Sequence, residues 1–252
     1  MKYSLDCARL SAIVYKNDSD AHSEINSLYE VTDFTFFDRK GTQALSFISN
    51  NKLFICFRGT EPTKFSDIAA DLKAWQLQDS KYKTGKVHAG FKAALDAVWP
   101  AMLPYLEKHV GDREVIVTGH SLGAALATLC ANRLSKDFKI SNISLYTFGS
   151  PRVGDKRWAS NFVVPSYRFV NNNDIVTTVP GDILFDHIGT LVYINYYGYV
   201  RDMTRWQRTK DKWRGFWNAI KRFEGVDFFN DHSMKFYLTK VENNIDILHS
   251  GR

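Results

Sequence analysis

A chain of 252 residues is long enough to bury the full core of one α/β domain, and its 44% apolar content is that of a globular protein. No stretch approaches the roughly 18 consecutive apolar residues that a membrane-spanning helix needs. The formal net charge of +6 favours anionic surfaces, but no nucleic-acid recognition motif, Gly-rich phosphate loop, internal repeat or Pro-rich linker accompanies it. Residues 1–252 are therefore expected to form a single domain, with no nucleic-acid partner.

Residues 1–20 carry Asp6, Arg9, Lys16, Asp18 and Asp20 among their apolar positions and lack the uninterrupted apolar core of a signal peptide. A cytoplasmic location is the expectation. The alternatives are export by a route that needs no such peptide, or a leader outside this sequence. The three cysteines are widely spaced and give no zinc pattern or disulfide framework. Cys56 and Cys130 sit in apolar runs and read as packing residues.

In chain order, Cys7 to Tyr15 reads as an amphipathic first helix. Gly41 to Ile48 and Leu53 to Arg58 read as a hairpin about Asn50-Asn51. Gly90 to His109 reads as helix interrupted around Pro100 and Pro104. Glu114 to Thr118, Ile143 to Phe148 and Tyr167 to Val170 read as buried strands separated by helices. Leu191 to Tyr199 reads as a late aromatic strand, Met203 to Phe223 as a basic helical segment, and a last helix follows His232. Such β-α alternation predicts an α/β fold with a mainly parallel sheet covered on both faces.

Gly119-His120-Ser121-Leu122-Gly123 lies between the strand ending at Thr118 and the helical run Ala124 to Ala131. Strand, Gly-x-Ser-x-Gly, helix is the pattern of a nucleophile elbow: a sharp turn projects the Ser hydroxyl clear of the sheet, and the glycines let strand and helix approach. A Ser hydroxyl is a weak nucleophile and needs a base, which in turn needs an orienting carboxylate. In α/β-hydrolases these follow in the order acid, then His. Asp174 is the acid candidate, because it lies in the Asn171-Asn172-Asn173 loop after a strand. Asn tolerates unusual backbone angles, and its amide can fix a carboxylate. Asp155, Asp182 and Asp186 are rivals, although Asp155 reads as opening a helix and Asp182 as a turn residue. His232 is the base candidate, on a loop at a helix start, with His187 its main rival. His88 precedes the Ser, and His120 reads as packing under the elbow. His22, His109 and His249 lie in polar stretches read as exposed.

The chain resembles the class 3, fungal-type lipases of the α/β-hydrolase superfamily. The resemblance rests on Phe57-Arg58-Gly59-Thr60, Val87-His88-Ala89-Gly90-Phe91, the elbow, Phe148 to Gly154, Asp174-Ile175-Val176 with Pro180, and Asp231-His232-Ser233 followed by Tyr237. These segments span roughly Leu5 to Leu238. Residues 196–224 are long and basic and do not align. The resemblance implies a serine carboxylester hydrolase acting on lipid esters, with Ser121, Asp174 and His232 as triad and no metal or organic cofactor. It places the oxyanion hole on the N–H groups of Thr60 and Leu122. Leu122 opens a helix, where N–H groups lack intrahelical partners. It also places a lid after Thr60. There Phe65, Ile68, Ala69 and Leu72 share one helical face, and Trp75 follows. The elbow does not discriminate a triacylglycerol lipase from a phospholipase or a short-chain or feruloyl-type esterase. An inactive lipase-like interaction module is the alternative of another class.

Residues 201–222 concentrate basic charge, from Arg201 to Arg222, and interleave it with Trp206, Trp213 and Trp217. Two readings stand. The helix lays its Trp residues on the sheet, or it contacts an anionic membrane surface.

Overall fold

The structure, a computed structural model, describes residues 1–60, 77–79, 82–221 and 231–250, with 77–79 and 215–221 described through their backbone alone. A seven-stranded sheet forms its centre. Strands β1 (Thr32–Arg39), β2 (Thr42–Ser49) and β3 (Lys52–Phe57) run antiparallel. Both hairpins turn on two residues of positive φ: Lys40 and Gly41 at 50° and 77°, then Asn50 and Asn51 at 48° and 57°. That is the geometry whose twist matches the flanking strands, and Asn tolerates it. A short antiparallel pair, β4 (Leu77–Asp79) and β5 (Lys86–His88), stands apart. From β3 the large sheet continues in parallel through β6 (Glu114–His120), β7 (Ile143–Phe148), β8 (Ser166–Asn171) and β9 (Thr190–Ile194).

Alternation along these strands builds two cores. Leu53, Ile55 and Phe57 of β3, with Val115 and Val117 of β6, face α3 (Ala89–His109) and α4 (Leu122–Asp137). Phe54, Cys56 and Ile116 face the other way. They pack with α1 (Ser4–Ile13), α2 (Asp18–Leu28), α7 (Met234–Glu242) and α8 (Ile245–His249). The largely parallel sheet with helices on both faces agrees with the sequence.

Four elements differ. α2 and β1 lie where residue patterning shows no element, because α2 buries only Ala21 and Ile25 and β1 is a half-exposed edge strand. α3 runs unbroken through Pro100 and Pro104. Both prolines are exposed, so the carbonyls they deprive of partners face water, while Phe91, Leu95, Val98, Met102 and Leu106 hold the opposite side in the core. β9 ends at Ile194, because Gly198 at φ 84° turns the chain and Asn195 Oδ1 accepts the N–H groups of Tyr197 and Tyr199. α5 (Lys156–Ser160) opens on Asp155, as the sequence implied, and α6 (Arg205–Lys221) fills most of the basic segment.

Candidate active site

Ser121 sits between β6 and α4 with φ 59° and ψ −129°, a region that side-chain-bearing residues rarely occupy. The glycines explain how the turn closes. A Cβ on Gly119 would lie 2.5 Å from the Gly123 carbonyl carbon, and one on Gly123 would lie 2.8 Å from the Phe57 and Arg58 carbonyl carbons. The Ser121 N–H donates to Phe148 O at 3.0 Å, which ties the elbow to the end of β7. Its Oγ is buried and has no hydrogen-bond partner among the described residues. Such an orphan is costly in a packed interior and is found at sites that await a reaction partner.

Asp174 and His232 lie side by side, both fully buried. His232 Nδ1 stands 2.8 Å from each carboxylate oxygen. Two further donors fix the carboxylate: the Val176 N–H reaches Oδ1 at 2.9 Å, and the Tyr237 hydroxyl reaches Oδ2 at 2.6 Å. The Tyr237 oxygen accepts the Asn171 N–H at 2.9 Å. Burial, then the nearby Asp174 charge, push the Tyr237 hydroxyl well above the ordinary tyrosine range, so it stays a donor. The Asn171 and Asn173 groups that the sequence assigned to fixing an acid hold Asp231 instead. The Asn171 amide donates to the Asp231 backbone oxygen at 2.8 Å and carboxylate at 3.1 Å, and the Asn173 N–H reaches that carboxylate at 3.3 Å. The acid loop is thereby clamped to the His232 loop.

His120 packs under the elbow as expected. Its ring lies 4.5 Å from that of His232. Nε2 is 2.6 Å from the His232 carbonyl, and Nδ1 is 2.8 Å from the Tyr15 hydroxyl. A carbonyl only accepts, so Nε2 carries the proton and Nδ1 accepts from Tyr15. Burial, then the neighbouring His232, hold its pKa well below the usual histidine value, so it is neutral. The rivals have structural partners. His187 Nε2 donates to Thr177 O at 2.8 Å, and burial with Arg168 and Arg152 pushes its pKa down to about 3. His88 stacks on Phe91 at 4.3 Å. Asp155 caps α5 by accepting the Trp158 N–H at 2.7 Å. Asp186 accepts the His187 N–H at 2.8 Å, and Asp182 is exposed. His109 departs from its expected exposure: it is buried, its ring 4.4 Å from that of Tyr105.

Thr60 and Leu122 line one cavity of about 330 Å³, together with Arg58, Gly59 and Leu126. The lid residues Phe65, Ile68, Leu72 and Trp75 lie outside the described residues. Trp206 and Trp213 of α6 are exposed, so the reading that lays them on the sheet fails for both; the Trp217 side chain lies outside the described residues. Nothing in residue type or spacing marks Tyr237 beyond its place in a resembling segment. The same holds for Gly149, where a Cβ would lie 2.7 Å from Asp174 Oδ2 and 2.8 Å from His232 Nδ1.

A sheet of this order, with Ser121 on a strained strand-to-helix turn and a buried carboxylate–imidazole pair on later loops, has the α/β-hydrolase architecture. The chain belongs to the class 3 lipase family, whose model, lipase (class 3), matches residues 54–183. It is 36% identical over 141 residues to a lipase of Rhizomucor miehei, across 52% of this chain and 38% of that protein. The chain thus matches little more than a third of that relative's length. It is 29% identical over 180 residues to the secreted mono- and diacylglycerol lipase LIP2 of Malassezia restricta, across 64% of this chain and 57% of that protein. Among solved structures, a triacylglycerol lipase whose catalytic centre is formed by a serine protease triad superposes with a TM-score of 0.64. It is 27% identical and covers 76% of this chain and 79% of that one.

The cytoplasmic expectation is corrected by these relatives, which include an enzyme named as secreted. A leader is removed on export and leaves no mark on the mature fold, so the composition of residues 1–20 does not decide the compartment.

Proposed function

We propose that residues 1–252 form one α/β-hydrolase domain that hydrolyses lipid esters, in the manner of a triacylglycerol lipase, through an acyl-enzyme on Ser121. The Ser121 hydroxyl attacks the ester carbonyl while His232 Nε2 takes its proton. Asp174 holds Nδ1–H and so fixes the tautomer in which Nε2 carries the accepting lone pair, and it stabilises the imidazolium that results. The N–H groups of Thr60 and Leu122 receive the oxyanion, where one preorganised donor is worth roughly 2.7–4 kcal/mol. The imidazolium then protonates the leaving alcohol, and water, activated by the same His232, releases the acid. This chemistry needs neither metal nor organic cofactor. The segment with Phe65, Ile68, Leu72 and Trp75 acts as the lid. The partners are the lipid ester and the anionic surface that carries it, with no part for nucleic acid.

The observation that carries the reading is the buried Asp174–His232 pair, 2.8 Å apart, in a fold whose elbow leaves the Ser121 hydroxyl without a hydrogen bond among the described residues. The test is a chain-length series of chromogenic esters with a triacylglycerol emulsion and one phospholipid. The proposal expects long-chain acylglycerols to be cleaved. Activity confined to short-chain esters or to the phospholipid would move the substrate class, and no activity on any would favour an interaction module.

A further inference from the structure

Helix α6 is amphipathic in the reverse sense. At 100° per residue, Trp206, Lys210 and Trp213 share one side, and Asp211 falls on the other. The carboxylate side faces inward: Asp211 is 2% exposed, whereas Trp206 is 65% and Trp213 56% exposed. The Asp211 carboxylate accepts the Tyr193 hydroxyl at 3.1 Å and the Tyr196 N–H at 2.9 Å, with Arg214 3.8 Å away. Asp211 thus anchors the helix from inside, with Trp206 and Trp213 exposed on the opposite side.

The turn after β9 extends that side. Tyr197 and Tyr199 are exposed, and the Arg214 guanidinium lies 5.5 Å from the Tyr197 ring centre. The Lys210 ammonium lies 3.4 Å from that of Trp206. Arg201, Arg205, Lys210 and Arg214 are all exposed, whereas Asp202 is the one exposed acid of residues 201–214. Exposed Trp and Tyr interleaved with unbalanced cations match the headgroup layer of an anionic bilayer. Rings with a polar edge rest at the interface, and cations meet phosphate.

The position of this surface gives it a use. The Lys212 carbonyl accepts the Asn173 amide at 3.2 Å, and the Tyr193 hydroxyl that holds Asp211 also lies 3.2 Å from Asn172 Oδ1. α6 is thus fastened to the loop that carries Asp174, at the carboxyl end of β8. Ser121 leaves the carboxyl end of β6, which runs parallel to β8 with only β7 between them. Helix and elbow share one edge of the sheet. Resting on the lipid-ester reading above, we infer that the outer side of α6, with Tyr197 and Tyr199, docks the protein on anionic lipid and brings the elbow edge to its substrate.

Sedimentation with vesicles of phosphatidylcholine alone, and of equal parts phosphatidylcholine and phosphatidylglycerol, tests this. The wild-type protein binds the mixed vesicles and not the neutral ones, and salt releases it. The double variant Trp206→Ala/Trp213→Ala loses about tenfold in partitioning. It keeps its turnover on a water-soluble ester but loses turnover on ester carried in mixed vesicles. Arg205→Gln and Lys210→Gln each cost about fivefold in partitioning. Ser121→Ala binds vesicles as the wild type does, which separates docking from chemistry: full activity in that variant would end the hydrolase reading without touching the docking result. Binding to neither vesicle type, equal binding to both, or unchanged partitioning of the Trp double variant would overturn the docking surface.

Discussion

Gly149→Ala probes how tightly the acid–base pair is enclosed. Gly149 follows β7 at φ 58°, and a Cβ there would lie 2.7 Å from Asp174 Oδ2 and 2.8 Å from both Cε1 and Nδ1 of His232. Non-bonded heavy atoms settle at about 3.5–4.0 Å, so the methyl must displace this pair by about 0.7 Å or more. Asp174 cannot retreat freely, because Val176 N–H and the Tyr237 hydroxyl hold its two oxygens. The shift therefore falls on the 2.8 Å contacts to His232 Nδ1 and carries them beyond hydrogen-bond length. A misplacement of about 1 Å in an active site can cost about 10²-fold in rate, and complete loss of the orienting carboxylate sets a ceiling near 10⁴-fold. We expect kcat on a soluble chromogenic ester to fall about 10²-fold with KM little changed. Backbone strain adds a stability loss of about 1–2 kcal/mol. Gly111→Ala separates the two effects. Gly111 also has positive φ, 40°, but its added Cβ would meet only Arg113 Nη1, at 3.9 Å. That variant should lose stability and keep its activity. If Gly149→Ala retains wild-type kcat while melting no lower than Gly111→Ala, the enclosure argument is wrong.

Asp174→Asn should lower turnover by about 10⁴-fold through the wrong His232 tautomer. Tyr237→Phe leaves the Asn171 N–H and one Asp174 oxygen short of a partner. It should cost about 1–3 kcal/mol in urea unfolding and lower kcat less than Asp174→Asn does; equal kcat in Tyr237→Phe and wild type would remove the hydroxyl from the positioning network. Stability should also fall in acid. His187 is held neutral down to about pH 3 by burial and by Arg168 and Arg152, and His120 is likewise depressed by burial. The unfolded chain takes up these protons near pH 6.5, so it binds more protons than the native state below that pH. The two histidines' contribution is complete above about pH 6.5 and is lost as pH falls toward the folded values. His187→Gln should flatten the fall in unfolding free energy between pH 6.5 and pH 4.5. An unchanged slope would show that His187 takes up its proton in the native state.

The elbow was legible because its cause is local: glycines, a β-branched strand and a small-residue helix follow one another within the segment that folds into it. The buried strands were legible for the same reason, since alternation and β-branching are written along each. What escaped depends on distant partners. Tyr237 reaches Asp174 and Asn171 from more than sixty residues away, and Gly149 matters because two other loops close over it. The path of α3 through two prolines depends on which side of the helix meets water, which spacing alone leaves open. The Asn-rich loop had the right chemistry and the wrong object: its amides grip Asp231, and Asp174 is held by a backbone N–H and a phenol. In α6 Trp206 and Trp213 lie on one exposed side, a direction set by Asp211, a charged residue that patterning would place in water.

The central claim is that Ser121 is the nucleophile, and covalent labelling tests it most directly. A long-chain alkyl phosphonate should modify the protein in equal stoichiometry, abolish ester hydrolysis, and map to the peptide that carries Ser121. It should leave Ser121→Ala unmodified. Labelling of a different serine, or stoichiometric labelling of Ser121→Ala, would contradict the account.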